Sequence, residues 1–363
     1  MVKRAVITGA TGMKQTIIEQ DLEEIYGRNI PWQELEGKTV LITGAYGMLA
    51  SYVMYMLLYL NINKGIHVTI IAVVRSQTKF EARFGSITKY PFLKVVESDL
   101  TAELDIDMDI HYIIHAASLA SPQYYSVCPI DVLMPNVIGN YYMLRLAERK
   151  KIKSYLLFSS GDIYGVVNGV SEIKECDYGA MDTLDIHNCY SESKRMAETM
   201  CKAWFHQKGI PVKIVRIWHT YAPTMDIERD PRVFAAFVND IVNKRNIVMK
   251  SDGSAKRSFC YIADAVAAYF LVLFRGVSGE AYNVCNTKEF CSISEFAEKM
   301  VALYPELQLK VERKERDKTE AYVENSVANM IPPDNSKLKR LGWEEKYDIQ
   351  TGFRRVIDCL KGA

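Results

Sequence analysis

Residues 38–61 read KTVLITGAYGMLASYVMYMLLYLN. A short β-rich run ends at a pair of glycines, and a long apolar run free of glycine and proline follows. A phosphate-binding turn needs this order, because the helix that follows presents free N–H groups and a positive dipole end to an anion. HVTIIAVV (67–74) then supplies a second strand, which completes a βαβ unit. Gly44 and Gly47 permit a tight turn and close backbone approach, and Ala50 is small enough for the helix to pack on the strand. Tyr46, Met48 and Leu49 lie within the same turn.

Nearly the same phrase, ITGATGM, stands at 7–13. There the continuation is MKQTIIEQDLEEIYG (13–27), an acidic amphipathic stretch with no second strand before residue 38. Residues 1–12 therefore read as a truncated duplicate: a fusion scar, a misplaced start with Met13 as the natural one, or an extra edge strand. The working copy is the one at 40–50.

The chain has 363 residues, 49% hydrophobic and 25% charged, enough for one large domain or two closely joined ones. A net charge of +1 with acids and bases interspersed argues against a nucleic-acid or membrane-surface partner and for small molecules. Eight scattered cysteines show no zinc-ligand spacing, so reduced thiols and no metal are expected. VMYMLLYLNI (53–62) is too short to span a bilayer, and the start lacks a signal peptide's apolar core, so we expect a cytoplasmic protein.

Strand two ends in AVVRS (72–76), with Arg75 where a ribose-binding acid often sits. An arginine can stack on adenine or pair with a 2′-phosphate, which keeps NADP open beside NAD. VVESDLT (95–101) puts Asp99, followed by Leu100, after a strand, where a carboxylate can accept from an adenine amino group. YIIHAAS (112–118) ends in the small residues Ala116, Ala117 and Ser118, as close cofactor contact requires.

The chemistry reads best in YLLFSSGDIYG (155–165) and YSESKRMAETMCKAWFHQKG (190–209). The first is a strand ending in hydroxyls and a carboxylate, where open α/β sheets place their sites. The second is a helical pattern in which Tyr190 and Lys194 share one face. A nearby cation favours phenolate, so such a tyrosine can take a proton from a sugar hydroxyl while hydride leaves, and Ser160 can hold that hydroxyl in line.

The order of TGAYGMLA, SDL, HAASLASP, NVIGN, SSGDIYG, YSESK, RIWHTYAP, RSFCYIADA and YNVCN, from about 38 to 290, resembles the extended short-chain dehydrogenase/reductase family in its nucleotide-sugar epimerase/dehydratase/decarboxylase branch. PPDNSKLKRLGW (332–343) matches that family's closing segment. The resemblance implies an α/β fold: a Rossmann-type doubly wound parallel sheet with bound NAD and a smaller C-terminal α/β substrate domain. Its domains would be an extension at 1–37, a Rossmann domain at 38–216 that also receives about 256–289, a substrate domain from 217–255 and 290–345, and a C-terminal helix at 346–363. It implies Ser160, Tyr190 and Lys194 as the catalytic triad, Asn136 in a structural role, and Ser121, His219, Arg232 and Arg257 toward the nucleotide-sugar substrate. A half-protonated imidazole at His219 would make binding pH-sensitive near neutrality. Helices at about 131–150 and 190–208 imply a homodimer through a four-helix bundle.

All branches of that family oxidise C4 of the sugar and then use the 4-keto intermediate. Dehydratases carry an Asp–Glu pair where this chain has Gly161 and Asp162, so elimination is disfavoured. UDP-glucuronate decarboxylases carry Glu at 162 and an arginine before the closing PD. Here Asp162 is one methylene shorter and ANMIPPD (328–334) has no arginine, although HAASLASP and KRMAETMC look most like that subfamily. The first reading is an NDP-sugar 4-epimerase, with UDP-glucuronate decarboxylase as the alternative and Asp162 as a candidate base. A 4,6-dehydratase and a non-catalytic NAD(P)-binding regulator rank lower.

Overall fold

The computed structural model of the chain describes residues 12–314 and 331–361. The ITGATGM echo, but for its last two residues, and positions 328–330 of ANMIPPD lie outside them. Seven parallel strands form the central sheet: β1 (Lys38–Thr43), β2 (Val68–Val74), β3 (Leu93–Glu97), β4 (Tyr112–His115), β5 (Ser154–Ser160), β6 (Val212–Ile217) and β10 (Glu280–Val284). Their spatial order is β10-β6-β5-β4-β1-β2-β3. Strand order reverses between β1 and β4, which makes that gap the place where a doubly wound sheet opens a crevice.

Alternation along the strands feeds two cores. Val40 and Ile42 of β1 join Ile70, Ile114, Leu156 and Val215 on one face, whereas Leu41 joins Ile71, Ile113, Leu157 and Ile214 on the other. The first face is covered by α2 (Met48–Tyr59) and α9 (Ile262–Arg275), the second by α6 (Asn140–Lys150) and α7 (Cys189–Lys208). Helix α3 (Gln77–Phe84) follows β2, and α4 (Gln123–Val127) and α5 (Pro129–Met134) follow β4. The single helix expected at 131–150 is α5 and α6 joined by a widened turn at Pro135–Gly139.

Beyond β6 the chain builds a smaller layer. Strand β7 (His219–Tyr221) pairs in parallel with β9 (Lys256–Tyr261), which pairs antiparallel with β11 (Phe290–Ser292). Helices α8 (Val233–Val242) and α10 (Ile293–Val301) flank them, and β8 (Ile247–Met249) pairs with β12 (Val311–Arg313). A short helical turn, α11 (Ser336–Lys339), and α12 (Ile349–Lys361) close the described chain. Of the stretch 256–289, α9 and β10 join the layers of the large sheet, while β9 belongs to the small one.

Helix α2 is apolar all round, so it needs cover on its outer side too. Helix α1 (Gly12–Tyr26) gives it: Ile18, Leu22 and Ile25 are fully buried in the same core. The acidic look of this stretch hides one buried acid. Asp21 accepts hydrogen bonds from Tyr52 (3.0 Å) and Tyr261 (2.6 Å) and pairs with Arg355 of α12 at 2.7 Å. Burial outweighs these partners and pushes its pKa up to about 6. No helix among the described residues is long and apolar enough to cross a membrane, and those residues hold no metal-ligating cluster.

Removing one partner of a buried ion pair leaves the other uncompensated. We therefore expect Asp21→Ala to cost about 3–5 kcal/mol, read as a drop in Tm of roughly 6 °C or more, with Asp21→Asn losing less. A melting temperature unchanged by Asp21→Ala would show that α1 is not part of the cooperative core.

Candidate active site

The glycine turn follows from geometry at Gly44. Its φ is +65°, and a Cβ there would stand 2.8 Å from the Ala117 Cα. Only glycine fits on both counts. Gly47 caps the N-terminus of α2 with no side chain to answer its first amides, and that end follows directly on β1. Thr43 Oγ1 accepts from the amides of Ala116 and Ala117 at 3.1 Å each, so its own proton goes to His115 Nδ1, 2.9 Å away. Burial, with Lys194 adding to it, pulls the His115 pKa down to about 3, so the ring is neutral.

The loop beyond Ala117 carries Ser118 and Ser121, whose hydroxyl oxygens are shielded from solvent and have no protein partner. Unpaired buried hydroxyls cost free energy unless a ligand answers them. Ser118, with the side-chain-free cradle at Gly44 and the helix N-terminus, fits a dinucleotide with its phosphates at α2; Ser121, expected toward the sugar nucleotide, lies on the same loop. Tyr46, Met48 and Leu49 are half-buried around the turn. At the far end of the crevice Arg75 is exposed after β2, and Asp99 accepts from the Thr101 amide at 3.0 Å. That bond, aided by Arg75 among others, holds the Asp99 carboxyl below the usual range. Leu100 is buried and packs against Gly139.

Ser160, Tyr190 and Lys194 converge at the C-terminal end of β5. Asn136 in the widened turn donates to Ser193 Oγ at 2.9 Å, and Ser193 donates to the Tyr190 carbonyl at 2.7 Å, which pins the first turn of α7. Lys194 is buried and donates to the Phe158 carbonyl at 2.7 Å, with its ammonium 5.8 Å from the Tyr190 ring centre. Burial pulls its pKa down to about 7, against the pull of Glu198 and Cys201. Burial first, and then Asp162, push the Tyr190 phenol up, while a Ser160 hydrogen bond and Arg232 act the other way.

Ser160 caps the short turn Gly161–Tyr164: its Oγ accepts from the Asp162 amide at 3.1 Å and donates to Asp162 Oδ2 at 3.2 Å. The Asp162 side chain is solvent-exposed at the turn but has dense protein around it. That enclosure raises its pKa, opposed by Ser160, Arg257 and Arg232. Gly161 has no side chain for a packing reason, because a Cβ there would lie 2.9 Å from the Trp218 ring.

The substrate-side candidates gather on the same cleft. Arg232 pairs with Asp230 (2.8 Å), stacks 4.7 Å over Phe234 and reaches within 3.9 Å of Met48 Sδ in the glycine turn. Arg257 donates to the Lys256 carbonyl at 2.8 Å. His219 has an unpartnered, shielded Nδ1, and burial with the two arginines pushes its pKa well down. The imidazole is thus neutral near pH 7, in place of the half-protonated group expected from its type.

Sequence reasoning passed over three groups. Glu198 lies one turn beyond Lys194, a spacing that signals a shared face; it accepts from Ser159 at 2.5 Å and from Arg216 at 2.8 Å. Trp218 and Tyr125, whose ring stacks on Tyr190 at 5.3 Å, carry no local signal.

The description of the NAD dependent epimerase/dehydratase family matches residues 40–285. UDP-glucuronic acid decarboxylase 6 of Arabidopsis thaliana is 30% identical over 321 residues, 86% of this chain and 86% of that protein. Among solved structures, UDP-glucose 4-epimerase of Thermotoga maritima with UDP-glucose shares the fold at a TM-score of 0.72 and 19% identity, covering 88% of this chain and 97% of that one. UDP-glucuronic acid 4-epimerase of Bacillus cereus, in complex with UDP-glucuronic acid and NAD, does so at 0.72 and 18%, covering 89% and 99%. The family match runs from β1 to just past β10 and spans the glycine turn, Ser160 and the helix of Tyr190; the chain belongs to the NAD-dependent epimerase/dehydratase family.

Proposed function

We propose that this chain oxidises C4 of a UDP-linked sugar and that its reaction is the decarboxylation of UDP-glucuronate. The convergence of Ser160, Tyr190 and Lys194 beside the Gly44 turn carries the C4 chemistry. The decarboxylase reading is supported by whole-length similarity to proteins so named, at 30% identity over 86% of both chains. It displaces the 4-epimerase reading from first place.

NAD, when bound, supplies reversible hydride uptake at C4 and a positive ring that favours phenolate. NAD is the cofactor in the family's description and is bound in the Bacillus cereus epimerase that shares the fold, which supports NAD over NADP. Tyr190 takes the O4 proton as hydride leaves, and Ser160 holds that oxygen. The sugar is then a β-keto acid, whose C5–C6 bond breaks with release of carbon dioxide and leaves the electron pair as an enolate spread to O4. The Tyr190 hydroxyl and Ser160 stabilise that oxygen. Asp162, once protonated from solvent, would deliver that proton to C5, and Tyr190 would return the O4 proton as C4 is reduced again. Arg232, Arg257 and neutral His219 face the diphosphate and the sugar carboxylate.

One observation favours 4-epimerisation as a second reading: the Asp162 carboxylate accepts a hydrogen bond from Ser160 at 3.2 Å, which ties the acid that decarboxylation needs to the hydroxyl that holds O4. Epimerisation needs only the triad and room for the keto sugar to turn. A homodimer is supported by the outer faces of α5 and α7, where Ile130 and Met196 are exposed.

Incubation with UDP-glucuronate and a panel of UDP-, dTDP-, CDP- and GDP-hexoses, read by mass spectrometry and NMR, should show carbon dioxide released from UDP-glucuronate; an isomer of unchanged mass would install the epimerase instead. Tyr190→Phe should lower kcat by about 10²–10⁴-fold with Tm unchanged, and full retained activity would remove the phenol from the mechanism. Light scattering should give twice the chain mass, a monomer sinking the dimer.

A further inference from the structure

We infer that Tyr125 is a positioning residue that fixes the plane of the Tyr190 ring. Its consequence for rate rests on the reaction proposed above; its geometry does not.

Tyr190 does not pack into either of the two large cores. It belongs to a small cluster whose other buried members are Tyr125, Val132 and Cys189. Within it the Tyr125 ring lies nearly parallel to the Tyr190 ring, 9° between planes and 5.3 Å between centres, the offset stack that aromatic pairs favour. Tyr125 is itself tethered at both ends. Its hydroxyl donates to the Ala120 carbonyl at 3.1 Å, and its own carbonyl accepts from the Cys189 thiol at 3.8 Å. The short helix α4 that carries it packs on α5 and on the turn at Ile186–Asn188, while Ser126 and Val127 are exposed.

Tyr125 is not a second proton acceptor. Its hydroxyl is committed as a donor to a carbonyl, and burial, with Tyr190 and Asp162 nearby, pushes its pKa far up. What it offers is a flat wall. Without the wall, the Tyr190 ring is free to turn about its two side-chain torsions, and a reacting atom displaced by about 1 Å can lose roughly 10²-fold in rate. The same loop carries Ser118 and Ser121 a few residues earlier, with their shielded hydroxyls unpartnered by protein.

The test uses the full chain with Tyr125→Leu and Tyr125→Phe, each checked by Tm. Two readouts are taken: kcat and KM across pH on the nucleotide sugar that the panel identifies, and ¹³Cζ-tyrosine NMR titration with the Tyr190 signal assigned by its loss in Tyr190→Phe. Tyr125→Leu should lower kcat about 30- to 100-fold with KM within about twofold, and Tyr125→Phe, which keeps the stack, should stay within about threefold of wild type. Water admitted to the exposed face stabilises phenolate, so the Tyr190 titration should move to lower pH in Tyr125→Leu. A folded Tyr125→Leu with near-normal kcat, a change in KM alone, or equal losses in both variants would overturn the inference. If no sugar is turned over, the proposed reaction fails, and the NMR titration decides alone: a Tyr190 signal unmoved by Tyr125→Leu overturns the positioning role and a lowered one supports it. Should Tyr125→Leu melt far below wild type, Tyr125→Met, which keeps more of the volume, takes its place under the same criteria.

Discussion

The close approach of β1 to the end of β4 governs the rest of the site. Gly44 and Ala117 pass so near that no side chain fits between them, and Thr43 fastens the amides of Ala116 and Ala117 across the same gap. From that point α2 leaves to one side of the sheet and the loop through Ser118, Ser121 and Tyr125 leaves to the other. The crevice opens because two adjacent strands send their continuations apart. The second wall then runs on through α5 and the widened turn, where Asn136 meets Ser193 and sets the start of α7. One tight contact thus orders both the glycine turn and the helix that carries Tyr190.

The charges of α7 are answered unequally, and that inequality suits the chemistry. Glu198 has a guanidinium, Arg216, and a hydroxyl, Ser159, to meet it. Lys194 has a carbonyl, which holds the ammonium in place without neutralising it. A buried ammonium with no carboxylate bonded to it sits close to its titration point, so a ligand's ribose hydroxyls or charge can shift it readily. His115 and His219 are neutral by burial and add no competing positive charge that titrates near pH 7.

The fold was legible because its signals are local and repeat: a strand, a glycine turn and an apolar helix at 38–61, and the alternation that sends Leu41 and Ile42 to opposite cores. Tyr190 and Lys194 were legible because one helical turn separates them. What escaped depends on contacts between distant stretches. Nothing in SPQYYSV says that Tyr125 will face Tyr190, and nothing beside Gly161 says that Trp218 will fill its side-chain space. Acidic neighbours masked the apolar stripe of Ile18, Leu22 and Ile25, so α1 read as an appendage although it lies in the core. The balance between decarboxylation and epimerisation was read from Asp162 and from the missing arginine in ANMIPPD, whereas the likeness to decarboxylases is spread over most of the chain.

The pairing of Asp21 with Arg355 spans 334 positions, from the first described helix to the last. During synthesis α1 and α2 leave the ribosome early, and the carboxylate meant for the interior has its tyrosine partner Tyr52 but not its guanidinium. The apolar surface of α2 can be covered by α1, yet the site for Asp21 is incomplete until α12 emerges. All seven strands of the large sheet lie before residue 285, so the sheet can be complete while the buried carboxylate of α1 still lacks its guanidinium; the core closes only when the first and last described helices meet.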